Sequence, residues 1–506
     1  GLISGVLSFC AGGLRVVADS ASYWFKAGNA IFQIPMGYSL ALLGAGYMVG
    51  LAGGIAILVG IVIAWGVLVP YFSATLPQPA DVDMATFALT LWKEKVRFIG
   101  AGTLGVAAVW TLIMLLKPVA EGMRLSLAAM RAPRDYQRSR VEQDLSPKAM
   151  IGWTVGMLVM LGLSFHHFVD SAAISDTAGW VLVLLGTLMA FFIGFLVAAA
   201  CGYMAGLVGS SSSPISGVGI VSVVIVSLVL LVYGESAGLF AHEGNRQFML
   251  ALTLFVGSAV VSVASVSNDN LQDLKTGWLI QATPWRQQVA LIIGCVVGAL
   301  VIAPVLEMLY QAYGFTGAMP REGMDVKQAL AAPQATLMTT IATGIFSHNL
   351  QWNYIFTGIG IGVALIIVDR LLRSRPGTNL SLPVLAVGMG IYLPPAVTMP
   401  IVIGTVLATL VRKRIQRRHG GKTQAEPYLK RAERTGTLMA AGLIVGESLM
   451  GVIMAFIIAF SVTSGGSDAP LALSLENWDD AASWLGLAAF VVGATLLVNR
   501  VMKAAR

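Results

Sequence analysis

The residue best suited to do chemistry in this sequence is an acid inside an apolar run. Glu447 lies within GLIVGESLMGVIMAFIIAF, and no basic residue lies between Arg434 and the next predicted outer loop, 462–483. A carboxyl group surrounded by apolar residues is costly unless it is paired or used, so acids within membrane segments usually have a function. We therefore predict that Glu447 binds and releases a proton during a transport cycle. The alternative is a structural acid that hydrogen-bonds between helices.

A run of small polar residues is the second candidate. The segment GLVGSSSSPISG contains four serines and a proline, namely Ser210, Ser211, Ser212, Ser213 and Pro214. Its hydroxyls and amides are not covered by bulky side chains, and the proline can break a helix so that its ends face a ligand. The sequence predicts that this segment binds substrate. A plain flexible turn is the alternative.

Two further groups of residues suit a transport pathway. Asn349 and Tyr392 lie in two segments that are predicted to enter the membrane without crossing it, where they would line a cavity. Asp269, Asp273 and Lys275 follow a predicted crossing and have the charges needed for a gate of exchangeable ion pairs at the cytoplasmic mouth. Solvated charges in a loop are an equal alternative for these three.

The composition predicts that membrane-spanning helices position these residues. Of the 506 residues, 57% are apolar and only 11% are charged, and the mean hydropathy is +0.79. Uncharged apolar runs of about 18 residues or more recur along the chain, and each can cross a bilayer as a helix. This excludes a water-soluble enzyme. The sequence predicts an all-α, polytopic membrane protein with roughly 12–14 transmembrane or re-entrant helical segments.

The distribution of charge predicts an orientation. Most of the 32 Lys and Arg residues lie in short connections between apolar runs, as the positive-inside bias requires, so the net charge of +7 does not indicate nucleic acid. We predict a bacterial inner (plasma) membrane protein whose carboxyl terminus is cytoplasmic. The lipid bilayer is its expected partner, and a homo-oligomer is compatible with the sequence. Three cysteines, an odd number, argue against a disulfide framework.

Alternation of sides along the chain predicts two re-entrant segments, near 336–350 and 382–411. The second is apolar throughout, yet it begins and ends on the basic side. As one helix it would be about 45 Å long, and Pro394 and Pro395 would break it. Two half-spans folded as a hairpin fit better.

The apolar stretch from Met36 to Pro70 is also too long for one crossing. Its part GYMVGLAGGIAILVG has glycine spacing comparable to GIYLPPAVTMPIVIG in the second re-entrant segment, and the two are predicted to enter from opposite faces. This pattern indicates an inverted repeat whose broken elements meet near the midplane. We predict halves at 1–233 and 234–506, the first of which is shortened at its amino-terminal end.

Enzyme and nucleotide motifs are not found in the sequence. GGKT at Gly420 lacks the earlier glycine of a phosphate-binding loop, and there is no HExxH, no GxSxG and no acidic cluster at metal-ligand spacing. We therefore expect no enzyme activity, no metal site and no cofactor apart from the proton as coupling ion. A passive channel and, less favoured, an intramembrane enzyme are the alternatives.

Several segments resemble the oligopeptide transporter (OPT) family, which includes the yellow-stripe-like metal-chelate transporters. They are GLVGSSSSPISG, LQDLKTGWLIQATPWRQQ, PQATLMTTIATGIFS, DRLL, LPVLAVGMGIYLPPAVTMPI and GLIVGESLMG. Family members commonly have asparagines where this chain has Ser212 and Ser213. The resemblance implies proton-coupled import of small peptides or peptide-like metal chelates by alternating access. It also implies that the family's amino-terminal portion is absent here.

Overall fold

The structure is a computed structural model, and it describes residues 1–131, 139–172, 174–207, 215–241, 243–315, 330, 332–347, 351–375, 380–421, 424–467, 469–473 and 477–505. Within these residues the chain is almost entirely helical, and ten helices are long and apolar enough to cross a membrane. The protein is therefore an all-α, multi-pass membrane protein, as the composition predicts.

The chain folds into two compact units. The first comprises residues 1–104, 304–331 and 353–506, and the second comprises residues 105–303 and 332–352. The boundary at residue 233 was predicted from the inverted repeat, and these two units do not test it. It stays a prediction.

In the first unit, the helices before Arg97 are short. They are α1 (Leu2–Ser8), α2 (Leu40–Val49), α3 (Leu51–Ile61), α4 (Val69–Thr75) and α5 (Met84–Leu91). The longer α6 (Arg97–Arg131) begins in the first unit and continues into the second. Three π-helical turns extend α1, α3 and α5, at Phe9–Gly13, Val62–Leu68 and Trp92–Val96. Such turns widen a helix locally and are frequent at functional sites.

The remaining helices are mostly long. They are α7 (Pro147–Val169), α8 (Asp176–Leu207), α9 (Ile215–Ser236), α10 (Glu243–Leu279), α11 (Pro284–Tyr313), α12 (Pro333–Ser347), α13 (Trp352–Arg373), α14 (Val384–Tyr392), α15 (Pro395–Arg418), α16 (Glu426–Thr463) and α17 (Asp479–Ala504). In the second unit, α8, α9 and α10 pack around a core that includes Phe165, Leu230 and Leu252.

A β-hairpin interrupts the helical fold near the start of the chain. Strands β1 (Ser20–Ala27) and β2 (Ala30–Gly37) pair antiparallel around Gly28 and Asn29, and Gly28 has φ +62°. A two-residue turn with positive φ matches the twist of paired strands. The hairpin is anchored because the Ile31 N–H donates to Ser73 Oγ at 2.9 Å.

The second re-entrant segment is broken where its prolines predict, but its pieces differ in length. α14 has 9 residues and α15 has 24, and α15 alone is long enough to cross the membrane. The apolar helix α15 continues into the basic stretch that ends at Arg418, so the second piece is longer than a half-span needs to be. Its re-entry stays a prediction. In the first predicted re-entrant segment, α12 has 15 residues, about 22 Å, which is short for a crossing. Its re-entry stays a prediction.

Candidate functional site

Two interrupted helical segments form the centre of the first unit. One is α2 followed by α3, and the other is α14 followed by α15. Leu40 and Leu51 begin the first two helices, and Val384 and Pro395 begin the other two, so both starts are separated by 344 residues. The two segments thus share the spacing of their helix starts, although their helices differ in length.

The contacts between these two segments are reciprocal. Four glycines lie so close to a backbone carbonyl of the other segment that a methyl group would collide with it: Gly46 with Ile401, Gly60 with Val387, Gly390 with Ile57, and Gly404 with Leu43. The offset of 344 residues that relates the helix starts also exchanges Gly46–Ile401 with Gly390–Ile57, and Gly60–Val387 with Gly404–Leu43. Exchange of contact partners is what a two-fold relation between surfaces produces. The two segments are therefore packed antiparallel as equivalents.

Each interruption has a local backbone cause. Gly50 separates α2 from α3 with φ +83°, a conformation that favours glycine. Leu393 and Pro394 are extended between α14 and α15, and Pro395 has no N–H to continue the helical ladder. Helix ends leave backbone groups without intrahelical partners, and within a membrane such groups must face protein or a polar cavity.

Glu447 lies at the amino-terminal end of α2. The Ser39 hydroxyl donates to Glu447 Oε1 at 2.6 Å, and the Ala41 N–H donates to Oε2 at 2.9 Å. Ser39 Oγ also accepts from the Leu42 N–H at 3.1 Å, so Ser39 caps the helix. The half-buried acid of α16 is therefore joined to the positive end of a helix dipole. Its role in proton coupling stays a prediction.

A second carboxylate has a comparable position near α14. Asp369, on α13, accepts a hydrogen bond from the Leu382 N–H at 2.7 Å through Oδ1 and pairs with Arg373 at 2.8 Å through Oδ2. Leu382 lies two residues before α14. Both short helices thus have an acid from a neighbouring helix at their amino-terminal end. In the sequence, Asp369 is recognisable only as part of the DRLL motif, which indicates no role for it.

Tyr392 ends α14 and is buried. Its hydroxyl accepts a hydrogen bond from Arg97 Nη2 at 2.6 Å, and the guanidinium also lies 4.6 Å from the centre of its ring. Arg97 has no recognisable signal in the sequence, because the mixed charges of residues 71–95 directly before it indicate an outer connection in water. Whether Tyr392 lines a substrate cavity stays a prediction.

The three predicted gate residues lie on the last turns of α10 rather than in a loop. Asp269, Asp273 and Lys275 are exposed, and in the described part of the chain no ion pair joins them. Lys275 instead lies 4.8 Å from the centre of the Trp278 ring, and the Gln287 amide donates to the Asp273 carbonyl at 2.9 Å. These three residues therefore lie on a helix and not in the loop that was the alternative, whereas their gating role stays a prediction.

The other predicted site residues fall outside the described residues. They are Ser210, Ser211, Ser212, Ser213, Pro214 and Asn349.

Similarity to known proteins gives the class to which this architecture belongs. Residues 1–458 match the family described as OPT oligopeptide transporter protein. A Haemophilus influenzae relative, provisionally named an oligopeptide transporter, is 55% identical over 504 residues, which cover 100% of this chain and 79% of the relative. The metal-nicotianamine transporter YSL2 of Arabidopsis thaliana is 22% identical over 438 residues, which cover 81% of this chain and 58% of that protein.

The fold and its interrupted helices thus define a polytopic, α-helical membrane protein. The chain belongs to the OPT oligopeptide transporter family, which confirms the resemblance seen in its sequence motifs.

Proposed function

We propose that this protein is a proton-coupled symporter that imports small oligopeptides or peptide-like metal chelates by alternating access. Family membership supports the transporter class, and the names of the relatives support the two substrate classes. The bacterial relative supports a location in the inner membrane. The positive-inside bias supports a cytoplasmic carboxyl terminus.

The observation that carries the coupling role is the contact of Glu447 with the start of α2. A carboxylate accepts hydrogen bonds from Ser39 and from the Ala41 N–H, whereas a protonated carboxyl group must donate at one oxygen. Protonation would therefore weaken the link between α16 and the shorter arm of an interrupted helix. A proton could in this way be coupled to movement of α2, since a two-state element needs contacts that differ between its states.

The test compares two glutamates of the same helix in proteoliposomes with an imposed pH gradient. Glu447→Gln should lower uphill accumulation of substrate by about tenfold or more, because one charged contact of this kind is about 1.5–3 kcal/mol. Exchange of substrate across the membrane should remain measurable, which shows that the variant is folded. The measurement is accumulation of an oligopeptide mixture, with and without transition metals, followed by mass spectrometry.

Glu433→Gln is the matched control. Glu433 is exposed on α16 and is 3.5 Å from Arg412, so its loss should change little. Uphill accumulation by Glu447→Gln that equals the control would refute the coupling role. Flux without saturation and without dependence on the gradient would instead identify a passive channel.

A further inference from the structure

Two cations of the first unit lie among aromatic rings without a carboxylate partner. Lys95 belongs to the π-helical turn Trp92–Val96, and Arg97 begins α6 directly after it. Both side chains are half-buried. In the parts of the chain that the structure describes, neither forms an ion pair with an acid. Charges removed from water are costly unless an opposite charge or hydrogen bonds compensate them.

Their present contacts are only partial compensation. Lys95 Nζ donates to the Tyr354 hydroxyl at 2.8 Å and lies 5.0 Å from the centre of that ring. Arg97 uses Nη2 for Tyr392 and lies 5.2 Å from the centre of the Trp92 ring. Cation–π contacts and neutral hydroxyl acceptors hold a cation in place but leave its charge unneutralised.

Two donors in this cluster are buried without an acceptor. Among the residues that the structure describes, Nε of the Arg97 guanidinium has no hydrogen-bond partner, and neither does Trp65 Nε1, whose residue is only 3% exposed. Trp65 lies on the π-helical turn Val62–Leu68, and its ring centre is 5.9 Å from that of Trp92. Buried donors are nearly always satisfied in native proteins, so the unsatisfied donors of Arg97 and Trp65 indicate that an acceptor is missing from this cluster.

This cluster lies beside the interruption between α14 and α15. The Trp92 indole N–H donates to the Ile391 carbonyl at 3.2 Å, and Gly100 on α6 lies against Tyr392. Ile391 and Tyr392 are the last two residues of α14. A ligand held by Lys95 and Arg97 would therefore contact the part of the chain where the helix is broken.

We propose that Lys95 and Arg97 bind a carboxylate group of the transported substrate, with Trp65, Trp92, Tyr354 and Tyr392 as the walls of the site. A guanidinium fork matches the two oxygens of a carboxylate, and the ammonium adds a second positive charge. The proposal rests on the proposed function for the identity of the ligand, which is then a peptide-like molecule bound through a free carboxyl group.

The test measures how a free carboxyl terminus affects binding to the purified, full-length protein. An equimolar pool of tripeptides is compared with the same pool in the carboxy-terminal amide form, and dissociation constants are measured by thermal stabilisation in detergent at constant ionic strength. Wild type should bind the acid pool about tenfold or more tightly than the amide pool, because a hydrogen bond to a charged group is worth more than one to a neutral group.

Substitution should abolish this preference without abolishing binding. Arg97→Gln should bind both pools with similar affinity, near the wild-type affinity for the amide pool, and Lys95→Gln should reduce the preference. Lys93→Gln is the matched control, because Lys93 lies exposed on the same π-helical turn and should leave the preference intact. Should Arg97→Gln not fold, Arg97→Lys retains the charge, loses the fork and should still lower the preference.

The outcomes separate this proposal from the proposed function. Equal affinity of wild type for the two pools, or a full preference retained by Arg97→Gln and Arg97→Lys, overturns the carboxylate site. An equal loss of affinity for both pools on substitution also overturns it, since that result indicates a purely structural role. Uptake of the pools into proteoliposomes is measured separately. Acid preference without uptake refutes the transport function alone, and uptake without preference refutes the site alone.

Discussion

Ser39 makes two hydrogen bonds at the start of α2, one as donor and one as acceptor. The donor bond holds Glu447 of α16, and the acceptor bond satisfies the Leu42 N–H in the first turn. The same hydroxyl thus caps the helix and orients the acid. Any account of Glu447 as a proton carrier must therefore include Ser39.

We predict that Ser39→Ala lowers the free energy of unfolding by about 1–2 kcal/mol, because the capping bond and the bond to the acid are both lost. It should also reduce gradient-driven accumulation. Thermal unfolding in detergent and proteoliposome uptake measure the two effects. Thr463→Ala is the control, since that exposed hydroxyl bonds only to carbonyls of its own helix. A melting temperature for Ser39→Ala that matches the control would contradict the prediction.

The sequence predicts single residues only when their neighbours along the chain reveal them. Glu447 is recognisable because apolar residues surround it. Its partner Ser39 is 408 residues away, and Arg97 is 295 residues from Tyr392, so neither contact could be inferred without the fold. Arg97 is also part of a charged stretch that is typical of an exposed connection.

At the scale of elements, the interruption of α14 could be predicted because proline removes a donor and clashes with the preceding turn. The full length of α15 could not be predicted, because the basic residues that end it are compatible with both a helix and a loop.

The β-hairpin was missed for a different reason. Its strands lie between the apolar runs, and the turn signal of Gly28 and Asn29 was not recognised.

The close packing of the two interrupted segments yields a second prediction. Gly60→Ala should destabilise the protein by about 1–3 kcal/mol, because a methyl group there collides with the Val387 carbonyl and the backbones must separate. Gly360→Ala should have little effect, since Gly360 on α13 has open space around it. The measurement is the midpoint of thermal unfolding for both variants. Equal midpoints would show that this close approach does not stabilise the fold.

At the scale of the whole molecule, hydropathy was sufficient to predict a multi-pass α-helical protein, because only helices and closed barrels satisfy all backbone hydrogen bonds within a bilayer.

The predicted orientation depends on charge alone and yields a third prediction. Green fluorescent protein fused to the carboxyl terminus should fluoresce in a bacterial host, whereas alkaline phosphatase fused there should be inactive.

The control for this orientation is a fusion after Gln78, in the connection 71–95, whose mixed charges predict an outer position. There the two reporters should give the opposite result. Active phosphatase at the carboxyl terminus would reverse the orientation.

The reciprocal glycine contacts provide twin positions for experiments. A substitution at Gly60 and the same substitution at Gly404 should have equal effects, provided that the two segments are equivalent in the resting state of the protein. During the transport cycle, the protein would tolerate the substitution at one of these two positions better than at the other. The difference between their turnover rates would then tell which of the two segments moves while the other stands still.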